Sequence, residues 1–196
     1  MTAARIKDPE AANGGKQFWD TVDTRLKTAG VSREQVQAAW IKQADAGPSS
    51  GFPKYAQTLR DELRQIVQLM KVRFPNLKLA YSEGQIGWIP YILERADTVW
   101  EEHRAWAHTQ DLVPEPPSTY YHRQIYGCFF RDQHGLASLD EVGVDNITFE
   151  TDYPHTDSTW PHTKEVAEKM FAGLDDDTIY KIVRGNAIRM LSLDIT

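Results

Sequence analysis

A single cysteine, Cys128, stands among the 196 residues, so no internal disulfide can form and packing must hold the fold. It lies in the apolar string Tyr126-Gly127-Cys128-Phe129-Phe130 with nothing cationic beside it in sequence, the setting of a buried structural thiol. No apolar run approaches the ~20 residues of a membrane span. The opening residues Met1-Thr2-Ala3-Ala4-Arg5-Ile6-Lys7-Asp8 lack the apolar core of a secretion signal, so a cytoplasmic location without a membrane partner is expected. Arginines and lysines form no cluster, and no nucleic-acid partner is expected. No histidine precedes His103, which denies the first half of the chain any imidazole ligand for a metal.

What is present is the composition of a soluble globular protein, 41% hydrophobic and 26% charged, long enough for one ordinary domain or two small ones. The net charge of −6 hides an asymmetry. Residues 1–78 carry 13 Lys and Arg against 8 Asp and Glu, whereas residues 79–196 carry 9 against 20. All six histidines fall in the second part. This shift marks a boundary between segments of different character.

Residues 1–15 are polar and read as disordered or loosely attached. A mainly helical segment over 16–78 follows. Phe18, Val22 and Leu26 stand at i, i+4, i+8 in a helix over about 17–28. Ser32-Arg33-Glu34-Gln35 forms a capping box for a helix running to about Ala46, and Ala46 to Gly51 is a loop. Pro53 opens the longest amphipathic helix, whose stripe is Tyr55, Leu59, Leu63, Ile66, Val67, Met70 and Phe74. Such a stripe serves as core or as the groove of an interaction module. Strands are predicted over 77–82, 124–130 and 146–151, with helices over about 90–108, 136–142, 163–171 and 175–185 and a last helical turn over 186–191. Prolines 114, 116 and 117 read as a break. Strands separated by helices predict a parallel sheet and an α/β fold.

In a parallel sheet, functional groups gather past the carboxyl ends of the strands. Glu83 follows the first strand. Asp152 follows the third, in Ile147-Thr148-Phe149-Glu150-Thr151-Asp152-Tyr153-Pro154-His155. A carboxylate at Asp152 can ligate a divalent metal or act as a general base, with His155 and His162 as further ligands or substrate contacts. The alternative for Asp152 is a turn cap before Tyr153-Pro154, and for Trp160-Pro161-His162 a loop packed by its indole. His103, His108, His122 and His134 lack metal-type spacing and read as surface or structural histidines.

Residues 79–194 resemble the carboxyl-terminal part of amidohydrolase-family proteins of the branch related to aminocarboxymuconate semialdehyde decarboxylase. The matching pieces are Ser82-Glu83-Gly84-Gln85-Ile86-Gly87-Trp88-Ile89-Pro90, Asp140-Glu141-Val142-Gly143, Thr151-Asp152-Tyr153-Pro154-His155, Asp157-Ser158-Thr159-Trp160-Pro161-His162 and Gly185-Asn186-Ala187-Ile188-Arg189-Met190-Leu191. The resemblance implies a partial (β/α)₈ barrel of about three parallel strands over 79–196. It implies Asp152 as metal ligand and proton-transfer group, with Glu83, Trp88, His155 and His162 lining a substrate pocket. It also implies a divalent metal, zinc being expected, once the site is completed. The family's His-x-His pair has no counterpart here, and eight βα units need about 200–250 residues. Residues 1–78 resemble an internal stretch of secreted SGNH-type hydrolases, without a Gly-Asp-Ser nucleophile or an Asp-x-x-His in that segment. Together the two resemblances imply a chimeric or truncated chain.

Two functions follow. One is a metal-dependent hydrolase or decarboxylase acting on a small carboxylate, amide or ester, its site incomplete in this chain. The other is a non-catalytic remnant that self-associates, as a homo-oligomer or through unpaired strand edges.

Overall fold

The computed structural model describes residues 2–12, 14–39, 41, 50–105 and 113–195. The chain divides into two compact units, residues 1–77 and 78–196.

The first unit contains helices α1 (Ala3–Ile6), α2 (Gly15–Thr28) and α3 (Lys54–Arg73). Ala3, Ile6, Trp19, Ile66, Met70, Phe74 and Leu77 form its buried core, so the second half of the α3 stripe is core, with Leu59 and Leu63 partly buried against it and Tyr55 exposed. The expectation of a loose amino terminus is corrected here. Ala3 and Ile6, three apart on one helical turn, are both buried, and the Trp19 indole N–H donates to the Ile6 carbonyl at 2.8 Å. Lys7 reaches Glu62 at 2.8 Å. A Cβ on Gly15 would fall 2.1 Å from the Asp8 carbonyl oxygen, so α2 can start against this segment only with glycine there.

The helix expected from Ser32 to about Ala46 is also corrected. The capping box forms, with the Ser32 N–H donating to Gln35 Oε1 at 2.8 Å, but it starts only a 3-10 turn, Arg33–Gln35. At Val36 the backbone is already extended, and Val36 and Ile41 pack against the core. Tertiary burial of these β-branched residues overrides local helix propensity. Trp40 and residues 42–49, with most of the expected 46–51 loop, lie outside the described residues.

The second unit is α/β. Strands β1 (Leu79–Tyr81), β2 (Ile125–Phe129) and β3 (Ile147–Phe149) form a parallel sheet in the order β1-β2-β3. Leu79 lies opposite Ile125, and Gly127 opposite Ile147. Helices α4 (Ile89–His103) and α5 (Pro117–Gln124) connect β1 to β2. Helices α6 (Gln133–Ala137) and α7 (Leu139–Val142) connect β2 to β3. After β3 come α8 (Thr163–Met170), α9 (Asp176–Tyr180), a π-helical turn Lys181–Gly185 and α10 (Asn186–Leu191). Pro114 and Pro116 lie in the irregular segment before α5, as the expected break, and Pro117 occupies the first turn of α5, where a missing N–H costs nothing.

Alternate strand residues face the helices. Phe129, Ile147 and Phe149 pack with Val142, Met170, Phe171 and Ile182, and the rings of Phe129, Phe149 and Phe171 meet edge-on at 5.4–6.3 Å. By the same alternation Ala80, Cys128 and Thr148 face the other way. Two buried asparagines secure the strand starts. Asn186 donates to the carbonyls of Val144 and Ile147, each at 2.7 Å. Asn146 donates to those of Tyr121, His122 and Ile125 at 2.8–3.3 Å. The Gly185-Asn186 pair is thus a packing motif: a Cβ on Gly185 would sit 2.9 Å from the Tyr180 ring, and Asn186 ties α10 to β3. Among the described residues no helix is long and apolar enough to cross a membrane.

Candidate functional site

Three parallel strands put their carboxyl ends on one side, and three loops leave from there. The loop after β3 closes on itself. Thr151 O accepts from Thr159 N at 3.0 Å, from Ser158 Oγ at 2.9 Å and from Thr159 Oγ1 at 3.3 Å, and Thr159 is buried. Asp152 begins this loop in the left-handed region, φ 57°. Its backbone carbonyl makes the turn, accepting from His155 N at 2.9 Å. Its carboxylate takes the His155 ring as partner.

That carboxylate is only 6% exposed, and its Oδ1 lies 2.7 Å from His155 Nδ1. Glu83, also left-handed at φ 61°, brings Oε1 to 4.0 Å from the same nitrogen. One ligand atom from each of Glu83, Asp152 and His155 lies within 4.8 Å of the others. The hydrogen bond and charge of Asp152, helped by Glu83 and Asp157, raise the His155 pKa above its usual value. Two carboxylates around one imidazole form an electronegative cluster at the strand ends.

The other expected site residues take different places. Trp88 is partly exposed. Its indole N–H donates to the carbonyls of Gly84 and Gln85 at 2.8 and 3.1 Å, and its ring packs on Tyr81 at 5.5 Å, which shapes the loop after β1. His162 precedes α8 with its side chain 75% exposed, 3.5 Å from Glu165, apart from the Glu83–Asp152–His155 cluster. Trp160, expected to pack its loop, is exposed and meets Tyr153 edge-on at 5.5 Å. His122 and His134 are exposed, and His108 lies outside the described residues.

Two carboxylates that sequence reasoning missed organise the loop after β1. Asp132, just past β2, accepts from Ile86 N at 2.7 Å and Gly87 N at 2.6 Å through Oδ2, and from Gly135 N at 2.8 Å through Oδ1. Glu150, just past β3, accepts from Glu83 N at 2.8 Å. Asp132 carries a local signal, an Asp three residues before Gly135 at a helix start. Glu150 carries none, because its bond spans 67 positions. Cys128 points to the same face as Glu150, beside Thr148, and burial pushes its thiol up to about 12.

A family model described as Amidohydrolase matches residues 27–193. Solved structures share the fold. One is a dihydroxybenzoic acid decarboxylase from Polaromonas sp. JS666, determined with bound manganese and the inhibitor 2-nitroresorcinol. It is 19% identical, with 96% of this chain and 56% of that chain covered and a TM-score of 0.53. Another is an amidohydrolase from Mycobacterium avium subsp. paratuberculosis K-10, 21% identical, with 95% and 47% covered and a TM-score of 0.52. A 2,6-dihydroxybenzoate decarboxylase complexed with 2,6-dihydroxybenzoate is 19% identical, with 96% and 56% covered and a TM-score of 0.50. No curated protein matches the chain significantly. The shared fold is the (β/α)₈ barrel, of which this chain forms part, and the chain spans about half the length of these structures. The match starts at residue 27 and runs through the charge boundary near residue 78, so one family accounts for both sides of it. The expected likeness of residues 1–78 to SGNH-type hydrolases finds no support.

Proposed function

This chain belongs to the amidohydrolase family, and we propose that it carries part of the active site of a metal-dependent hydrolase or decarboxylase acting on a small carboxylate, amide or ester. The observation that carries this reading is the convergence of Glu83, Asp152 and His155, with ligand atoms within 4.8 Å of one another at the carboxyl ends of β1 and β3. Two carboxylate oxygens and an imidazole nitrogen suit manganese or zinc. Glu83, Asp152 and His155 would hold such an ion, which supplies Lewis-acid charge for a substrate oxygen.

The residues' own chemistry is consistent with those roles. Asp152 is sheltered and hydrogen-bonded to His155, so it can accept a proton from substrate or water and return it. His155, about half exposed, would contact a substrate entering from solvent. Glu83 sets the negative potential of the mouth and steers cations to it. The family's His-x-His ligands have no counterpart among residues that include no histidine before His103. The remaining coordination positions are therefore left to groups other than these three side chains. The Polaromonas decarboxylase contains manganese, which makes manganese as well as zinc a candidate occupant.

The test is metal analysis of purified protein dialysed against Mn²⁺ or Zn²⁺, beside Asp152→Asn, with CO₂ release from hydroxybenzoates and ester or amide hydrolysis as activity assays. Stoichiometric metal in the wild type, lost in the variant, is the expected outcome. Equal metal in both, or none in either, would sink the proposal.

A second reading has its own observation. Among the described residues β1 and β3 each pair on one side only, leaving backbone donors and acceptors along two edges. A non-catalytic partial barrel would self-associate through them. Light scattering separates this outcome, since concentration-dependent growth of a metal-free protein favours it over the enzyme.

A further inference from the structure

We infer that Glu150 is the positioning residue of this site, holding the Glu83 carboxylate within reach of Asp152 and His155; the inference rests on the reading of those three residues as metal donors. Glu83 stands two positions beyond β1, on a loop with no regular hydrogen bonding of its own at that point. Its backbone is left-handed, a conformation that non-glycine residues keep only when their surroundings hold it. The hold comes from across the sheet: Glu150 Oε1 accepts the Glu83 N–H at 2.8 Å.

Glu150 is itself fixed. It is the first residue after β3, and its own N–H donates to the Phe129 carbonyl at 2.9 Å, continuing the β2–β3 ladder by one step. Two residues further on comes Asp152. The strand end that supplies the sheltered donor therefore also fixes the backbone of the exposed one. The two carboxylates keep their spacing through one rigid element rather than through two independent loops. Asp132 secures the far end of the same loop at Ile86 and Gly87, which leaves Glu150 as the anchor next to Glu83.

The bond needs an acceptor at Glu150, and it does not need the negative charge. Glu150→Gln keeps a side-chain oxygen, while Glu150→Met keeps the length and loses it. In full-length protein titrated with Mn²⁺ and read by the EPR signal of the free ion, E150M weakens binding by about tenfold or more, the usual effect of losing a partner that orients a ligand. E150Q stays within about threefold. Because Glu150 acts through Glu83, E150M adds no further loss to Glu83→Ala, so the double-variant cycle is strongly non-additive.

Far-UV circular dichroism checks that each variant is folded, and if E150M is not, Glu150→Leu, which also lacks the acceptor, takes its place in the cycle with E83A. E150M binding as tightly as wild type, E150Q losing as much as E150M, or additive losses with E83A would each overturn the inference alone. A wild type that binds no Mn²⁺ would overturn the reading of the site and this inference with it.

Discussion

Replacing Asp132 by alanine removes one half-buried carboxylate that receives three backbone N–H groups: Ile86 at 2.7 Å, Gly87 at 2.6 Å and Gly135 at 2.8 Å. Hydrogen bonds to a charged acceptor contribute roughly 1.5–3 kcal/mol each. Simple addition overshoots, because water can reach part of this position and the three bonds share one anchor. The Gly135 bond is a helix cap, for which about 1 kcal/mol is typical. The Ile86 amide belongs to a fully buried residue and is the one left without a partner, at about 1–3 kcal/mol. A total near 3 kcal/mol follows, which lowers Tm by roughly 10–20 °C for a unit of this size. Asp132→Asn keeps one acceptor oxygen and turns an NH₂ toward the other donors, so about half the loss is expected. Urea melts followed by circular dichroism give the global number. Hydrogen exchange gives the local one, since Ile86 and Gly87 should lose protection first. A D132A protein within about 1 kcal/mol of wild type, with those amides still protected, would refute the reasoning.

Further outcomes are expected elsewhere. Asn186→Ala strips donors from the Val144 and Ile147 carbonyls and leaves a cavity, costing about 2–4 kcal/mol in denaturant melts; a loss under 1 kcal/mol would show that α10 is not tied to β3 in this way. With metal removed by EDTA, the NMR titration of His155 has its midpoint above 6.5, because Asp152 and Glu83 favour the imidazolium. The stability from that contact is complete below the unfolded value of about 6.5 and is lost as pH rises through the folded midpoint, and Asp152→Asn returns the midpoint toward 6.5. A midpoint at or below 6.5 in the wild type would contradict the contact. With its thiol pushed up to about 12 by burial, Cys128 should resist Ellman's reagent at pH 8 in the native protein and react promptly in urea; equal rates would show an open thiol.

The elements that could be read in the sequence are those whose signal is local and repeated. The α3 stripe runs for five turns, and the three strands are short apolar runs bounded by turn residues. A parallel sheet then places Glu83 and Asp152 past strand ends by topology alone. What could not be read depends on distant partners. The amino-terminal turn is ordered by two apolar side chains and one indole contact, too few to register in composition. The helix start at Ser32 carries a sound cap, yet Val36 and Ile41 are drawn into the core instead. His155 and His162 look alike in sequence, but the closed loop turns the first onto Asp152 and leaves the second beside Glu165. The bonds of Asp132 and Glu150 to the β1 loop span 45 to 67 positions, beyond the reach of any spacing rule.

Glu83, Gln85 and Asp152 all hold left-handed backbones without being glycine. Each sacrifices about 1–2 kcal/mol that glycine would recover. Selection for thermal robustness alone would therefore push these positions toward glycine, and at two of them that change deletes a donor carboxylate. In a library of this chain sorted only for folding, the fittest members should be the ones with the mouth erased. Persistence of Glu83 and Asp152 under such sorting would mean that their side chains hold the loops together as well as facing the opening.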